Sequence, residues 1–224
     1  MQINTTAAGD SRPHRSATAT ARRAQIVRAA IEVIAELGYD QASFARITER
    51  AGLSSPRMIS YHFAGKDDLI EQIVEDVLHA GAATITAAIE AETDWRRRLR
   101  AYLESNLRFL REHPVEMAAL TEIGPHLRAG DGTPRTSAGV QEPSVLGLEH
   151  LLAEGQRAGE FRDFDARSMA VMIRGAVDAA AQRLRGGTAF NFDAYTRELV
   201  AAFDLATRRP HSGPGTRTGN GAAP

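Results

Sequence analysis

Four side chains able to donate hydrogen bonds fall within one short stretch: Arg57, Ser60, Tyr61 and His62. On a helix they share an outward face. The Arg57 guanidinium matches guanine O6 and N7 with two parallel bonds. Ser60 suits a base or a phosphate, and Tyr61 and His62 donate to phosphates and so fix a docking register. Lys66 opens the next helical segment, where an ammonium and free N–H groups together favour a phosphate. Ser43, at the start of an earlier short helix, offers the same. This is the chemistry of recognising a polyanion. Plainer roles stand beside it. Ser43 serves equally as a helix cap, Tyr61 as packing and His62 as a solvated residue. Arg46 and Arg50 read as a solvated helix face. Arg12, Arg15, Arg22 and Arg23 are placed to approach a nucleic-acid backbone from upstream.

These groups need rigid elements behind them. Val27, Ala30, Ile31, Ile34 and Leu37 recur at three- and four-residue steps, which predicts a helix from about Thr20 that Gly38 stops. Phe44, Ile47 and Ala51 form the inner face of a second, short helix capped by Ser43. Gly52-Leu53-Ser54 is a tight connection. A third short helix starts near Ser55, with Pro56 in its first turn where no N–H is needed, and runs to about Phe63. A fourth begins at Lys66 with a stripe of Ile70, Ile73, Val74, Val77 and Leu78. Two short helices joined by a glycine turn are helix-turn-helix geometry, whose second helix enters the major groove.

The order and spacing of Ile26-Val27-Arg28-Ala29-Ala30, Gly38-Tyr39, Phe44-Ala45-Arg46-Ile47, Ala51-Gly52-Leu53-Ser54, Tyr61-His62-Phe63 and Lys66-Asp67-Asp68-Leu69 resemble the DNA-binding domain of the tetracycline-repressor (TetR) family. The resemblance covers about a quarter of the chain, Thr20 to Val77. It departs from the family at one place. Gly52 and Phe63 stand eleven residues apart where the family commonly has ten, so the third helix or the turn before it carries one extra residue. The resemblance implies a homodimer that binds a double-stranded operator and is released by a small-molecule inducer. It also implies a second, helical domain that holds the inducer and dimerises through its last two helices.

The rest of the chain fits an all-α fold. Helices are expected over 93–112, 114–127, 144–158, 165–185 and 193–208, with 128–143 as an internal loop. The expected domains are a disordered arm (1–19), the helix-turn-helix domain (20–66), a helical ligand-binding and dimerisation bundle (67–208) and a disordered tail (209–224). Met169, Met172, Ile173, Ala176, Val177, Ala180 and Leu184 span an apolar arc wide enough to be covered on two sides. Leu199, Ala202, Phe203 and Ala206 give the last helix a similar stripe. Candidates to line an inducer pocket are Tyr102, Asn106, Phe109, Met117, Leu120, Met172, Arg174 and Val177. Asn106 on an apolar face is one polar anchor, and Arg174 with Asp178 four residues on is another.

Bulk properties agree with this reading. The 224-residue chain has a net charge of −1. Residues 11–68 hold nine Lys/Arg against six Asp/Glu, so a segment of +3 sits on a body of −4, the footprint of an anionic partner. With no cysteine, disulfides and thiolate chemistry are excluded. No stretch is apolar enough for a membrane span, and no signal peptide is read, so a cytoplasmic location is expected. Walker A, GxGxxG, GxSxG and HExxH motifs are lacking, so no enzyme and no cofactor are expected. Glu122 and His126 could share a metal, but without a third ligand a solvated or capping role outweighs it.

Overall fold

Nine α-helices in chain order account for most of a computed structural model that describes residues 12–128, 137–185 and 190–209. They are α1 (Arg12–Leu37), α2 (Phe44–Arg50), α3 (Arg57–His62), α4 (Lys66–Glu90), α5 (Trp95–Glu112), α6 (Pro114–Ile123), α7 (Ser137–Arg157), α8 (Ala166–Arg185) and α9 (Phe192–Thr207), with a 3-10 turn at Gly124–His126. The only extended pairing among the described residues is an isolated bridge, Phe161 to Arg208. The chain is all-α, as expected. No helix among these residues is long and apolar enough to cross a membrane.

Two compact units emerge, residues 1–84 with 109–140 and residues 85–108 with 141–224. The first unit draws its core from α1 (Ile26, Ala30, Ile34), α2 (Ile47), α3 (Ile59, with Phe63 just beyond), α4 (Leu69, Ile73) and α6 (Ala119, Ile123). Each large side chain so buried contributes roughly 1.5–3 kcal/mol. Gly38 ends α1 at φ 83°, a left-handed position open to glycine. Gly81 of α4 lies under the Phe109 ring, where a Cβ would stand 3.2 Å from Cε1.

The second unit closes around Gly155. A Cβ there would sit 2.2 Å from the Phe161 ring and 3.1 Å from Trp95 Cβ, so only glycine lets that ring lie against α7. Gly159 (φ 75°) then turns the chain, with its N–H bonded to the Gln156 carbonyl at 2.9 Å and that of Glu160 to Gly155 at 3.0 Å, a Schellman close. Glu160 in turn caps α5, accepting from the Trp95 N–H at 2.8 Å. Arg162 fastens the end of α9 through its N–H to Thr207 at 3.0 Å and its Nε to Ala206 at 2.7 Å.

Two helices begin earlier than the sequence suggests. α1 starts at Arg12 rather than near Thr20, so residues 12–19, read as part of the arm, are helical. α7 starts at Ser137 rather than Ser144 and contains Pro143, so part of the expected 128–143 loop is helix. Residues 1–11 of the arm, 129–136 of that loop and 210–224 of the tail lie outside the described residues.

Candidate nucleic-acid interface and interior polar cluster

The turn that presents α3 is built from backbone bonds. Gly52, at φ 63°, closes α2 as the N–H of Gly52 bonds to Glu49 at 3.1 Å and that of Leu53 to Thr48 at 2.9 Å. Pro56 stands at the N-cap of α3, and its carbonyl accepts from the Ile59 N–H at 3.0 Å. Ile59 is fully buried and Phe63 nearly so. These two anchors are one helical turn apart, so they fix the rotational phase of α3.

With Ile59 held inside, Arg57, Ser60 and Tyr61 point outward. All three are exposed, Tyr61 to 84%. His62 is half-buried, and its ring meets that of Tyr61 edge-on at 5.2 Å. Arg57 has no partner among the described residues. Neither side chain contributes to this unit's core.

Other basic residues of the same unit are occupied. Arg23 turns inward: Nη1 donates to the His62 carbonyl, Nη2 to Gln72 Oε1 at 2.7 Å, and the guanidinium lies 4.2 Å from the Phe63 ring centroid. Gln25 donates to the Ala51 carbonyl at 2.6 Å. Together they tie α1 to the ends of α2 and α3. The sequence groups Arg23 with the backbone-approaching arginines, and nothing local marks it as a brace, because its partners lie 39 and 49 residues away. Arg50 pairs with Glu32 at 3.3 Å and with Glu36, and Arg46 with Gln41 at 3.0 Å, the solvated role expected of both.

Ser43 takes its capping role. It is extended (φ −88°, ψ 155°) and accepts from the Arg46 N–H at 3.4 Å. Lys66 is also engaged. Its ammonium donates to the Tyr39 carbonyl at 2.7 Å and sits 3.9 Å from the Tyr39 ring centroid. His126 stacks on that ring at 3.9 Å, 10° from parallel. Burial, then the charges of Asp67 and Asp40, push the Tyr39 hydroxyl above its ordinary range. Asp68 accepts from the Ala64 N–H at 2.8 Å, occupying the start of α4 with a carboxylate. His126 is thus a stacking partner of Tyr39, and no group of three His, Asp or Glu among the described residues is placed to hold a metal.

The eight pocket candidates do not share one unit. Phe109, Met117 and Leu120 belong to the first: Phe109 packs on Gly81 and on the His113 ring at 4.2 Å, and Met117 and Leu120 lean on the core. In the second unit Val177 is fully buried, while Met172 is 55% exposed beside the exposed Val171. Tyr102, Asn106 and Arg174 do come together. Asn106 Nδ2 donates to the Tyr102 carbonyl at 2.8 Å, and Arg174 Nη1 donates to Asn106 Oδ1 at 3.2 Å. Arg174 Nε and Nη2 donate to Asp178 Oδ1 at 3.0 and 2.6 Å. The Arg174–Asp178 pair is 13% and 23% exposed, so it is partly buried. Burial pushes the Tyr102 hydroxyl above its usual range against the opposing pull of Arg174 beside it. That hydroxyl makes no hydrogen bond of acceptable geometry, which leaves a cost of about 1–3 kcal/mol in the fold.

Residues 26–73 match the family described as bacterial regulatory proteins, tetR family. Over 86 residues the chain is 35% identical to the HTH-type transcriptional regulator BetI 1 of Chromohalobacter salexigens, covering 38% of this chain and 42% of that one. It is 35% identical over 92 residues to the HTH-type transcriptional activator FasR of Mycolicibacterium smegmatis, 41% of each chain. The chain thus spans about two fifths of the length of these relatives. The fold matches the transcriptional regulator FadR of Bacillus subtilis, solved in complex with stearoyl-CoA, at a TM-score of 0.66 and 21% identity over 80% of this chain and 95% of that one. The helix-turn-helix of α2 and α3, with the parts of α1 and α4 that support it, is the segment that matches the tetR family of bacterial regulatory proteins.

Proposed function

We propose that this chain is a DNA-binding transcriptional regulator, a repressor that a small molecule releases from a pseudo-palindromic operator. The observation that carries the reading is the outer face of α3: Arg57, Ser60 and Tyr61 exposed on a helix whose phase is fixed from behind by Ile59 and Phe63. Arg57 reads a base edge, and Ser60, Tyr61 and His62 set the register on phosphates. Ser43 contributes the start of α2. Lys66, already bound to Tyr39, acts by holding the domain together and adds its charge only at a distance.

A second copy of the chain supplies the second reading helix. Val171, Met172 and Leu184 of α8 and Leu205 of α9 are exposed apolar side chains on the last two helices, and pairing them buries what one copy leaves in water. The two α3 helices then enter successive major grooves roughly 34–36 Å apart. A ligand in the second unit changes DNA affinity by the difference in its affinity for the bound and released states. FasR is named an activator, so a second reading is activation on the same fold. A promoter fusion separates the two by the sign of its response.

Fluorescence anisotropy with the DNA upstream of this gene, across a salt series, tests the proposal. Wild type binds with an affinity that falls steeply as salt rises. Arg57→Ala binds about ten- to a hundredfold more weakly at fixed salt. Absence of any salt-dependent affinity for DNA refutes it.

A further inference from the structure

The interior of the second unit holds one polar island. Tyr102 and Asn106 stand one turn apart on α5, each 6% exposed, and Arg174 and Asp178 stand one turn apart on α8. Beside them lie the buried Leu103, Leu107 and Ile173, and Ser105, whose hydroxyl donates to the Tyr102 carbonyl at 3.3 Å.

The hydrogen bonds of the island can be counted. A guanidinium has five N–H groups. Arg174 commits three of them, two to Asp178 and one to Asn106. One N–H on each terminal nitrogen is left over. The Asn106 amide is used on both sides, accepting from Arg174 and donating to Tyr102. The Tyr102 hydroxyl is buried without a partner. The Tyr102 oxygen lies beside the Arg174 guanidinium, which turns the hydroxyl toward donating, so the groups left on this side are the Tyr102 O–H and the remaining Arg174 N–H, both donors. The charge can be counted too. Arg174 is balanced by Asp178 at 2.6 Å. A carboxylate brought here adds an uncompensated buried charge, and an amine meets a guanidinium; both are costly away from water.

We infer that this island is the anchor of the inducer site and that it takes a neutral oxygen acceptor, the carbonyl of a ketone, ester or lactone on an otherwise apolar small molecule. The Tyr102 hydroxyl and a free Arg174 N–H donate to that oxygen, and the apolar remainder lies along the buried faces of α5 and α8. This rests on the proposed function for the word inducer but not for the binding itself. It also differs from a site for an anionic headgroup, because the Arg174 charge is already spent on Asp178. Burial holds the tyrosine hydroxyl protonated through the physiological range, so it remains a donor there.

The full chain is titrated at pH 8 with four probes of matched length: 2-undecanone, γ-undecalactone, undecanoic acid and n-undecane. Binding is followed by calorimetry, and salt-dependent DNA affinity is measured separately on the same preparation. The two carbonyl probes bind at least about tenfold more tightly than the acid or the alkane. Tyr102→Phe removes an unsatisfied hydroxyl, so its thermal midpoint stays level or rises while its affinity for the ketone falls about tenfold. A tyrosine that only packs would move neither quantity in that way. Equal binding of all four probes, preference for the acid, no binding of either carbonyl probe, or unchanged ketone affinity in Tyr102→Phe overturns the inference. If DNA binds and the carbonyl probes do not, the anchor is wrong and the regulator stands. If the carbonyl probes bind and DNA does not, the anchor stands and the regulator is wrong.

Discussion

The outer face of α3 and the α5–α8 island both hold polar groups without protein partners, in opposite surroundings. Arg57 and Tyr61 lose nothing by waiting, because water satisfies them until a partner displaces it. The Tyr102 hydroxyl waits away from water and lowers the stability of the fold while it does. A change on the outer face of α3 should therefore have little effect on folding, whereas a change in the island should alter stability directly. The scaffolds follow the same division. α3 is short, and its direction is set by two apolar anchors and one inward arginine. The island is held by hydrogen bonds among its own members, each of which limits how its neighbour can turn.

Five substitutions break or sharpen this contrast. The largest effect is expected from Ile59→Ala, which empties a fully buried site behind the reading helix. It should cost about 2–5 kcal/mol, visible as a lower unfolding midpoint together with loss of DNA binding. Gly155→Ala forces a Cβ against the Phe161 ring and should cost about 1–3 kcal/mol in the second unit. Tryptophan fluorescence reports it locally, since Trp95 is the only tryptophan and its Cβ lies 3.1 Å from the same point.

Next come two arginines of one unit. Arg23→Met strands the His62 carbonyl and Gln72, so its stability should fall by about 1–3 kcal/mol. Arg57→Ala should stay within about 0.5 kcal/mol of wild type while DNA affinity drops. A chemical denaturation series on both variants decides it, and equal losses would erase the distinction between brace and reader. Asp204→Asn is the smallest. Burial opposes ionisation of Asp204, yet hydrogen bonds from Arg96 and Arg208 hold its carboxyl below the ordinary value. A depressed acid stabilises the fold above its unfolded pKa, and that contribution is lost as pH falls through the folded value. The variant should melt slightly lower at pH 7 and lose less than wild type on acidification. A parallel acid profile would show that the pair contributes nothing, as exposed pairs often do.

What could be read from the sequence follows physical lines. The helix-turn-helix was legible because each of its elements carries a local signal: a stripe at helical spacing, a serine cap, a glycine turn, and a proline in the first turn of the third helix. The start of α1 was not legible, because residues 12–19 carry no apolar stripe and periodicity detects only helices with a face to bury. The start of α7 was obscured by Pro143, which ordinarily ends a helix yet here lies inside one. Arg174 and Asp178 were legible as an i, i+4 pair, but not as buried, since burial depends on α5, which lies far off in the chain. The inward turn of Arg23 and the engagement of Lys66 with Tyr39 share that long-range origin. Met172 illustrates the converse, because a wide apolar arc does not say which of its residues face the unit's own core.

Lys66 is the only lysine in the chain, and there is no cysteine. Amine-directed reagents therefore have one side chain to find, and it is half-buried with its nitrogen held by the Tyr39 carbonyl and ring. Its acylation rate, read by mass spectrometry, becomes a built-in gauge of how tightly the first unit is closed. The same scarcity means that any molecule coupled to a surface through a lysine is one in which this contact has opened.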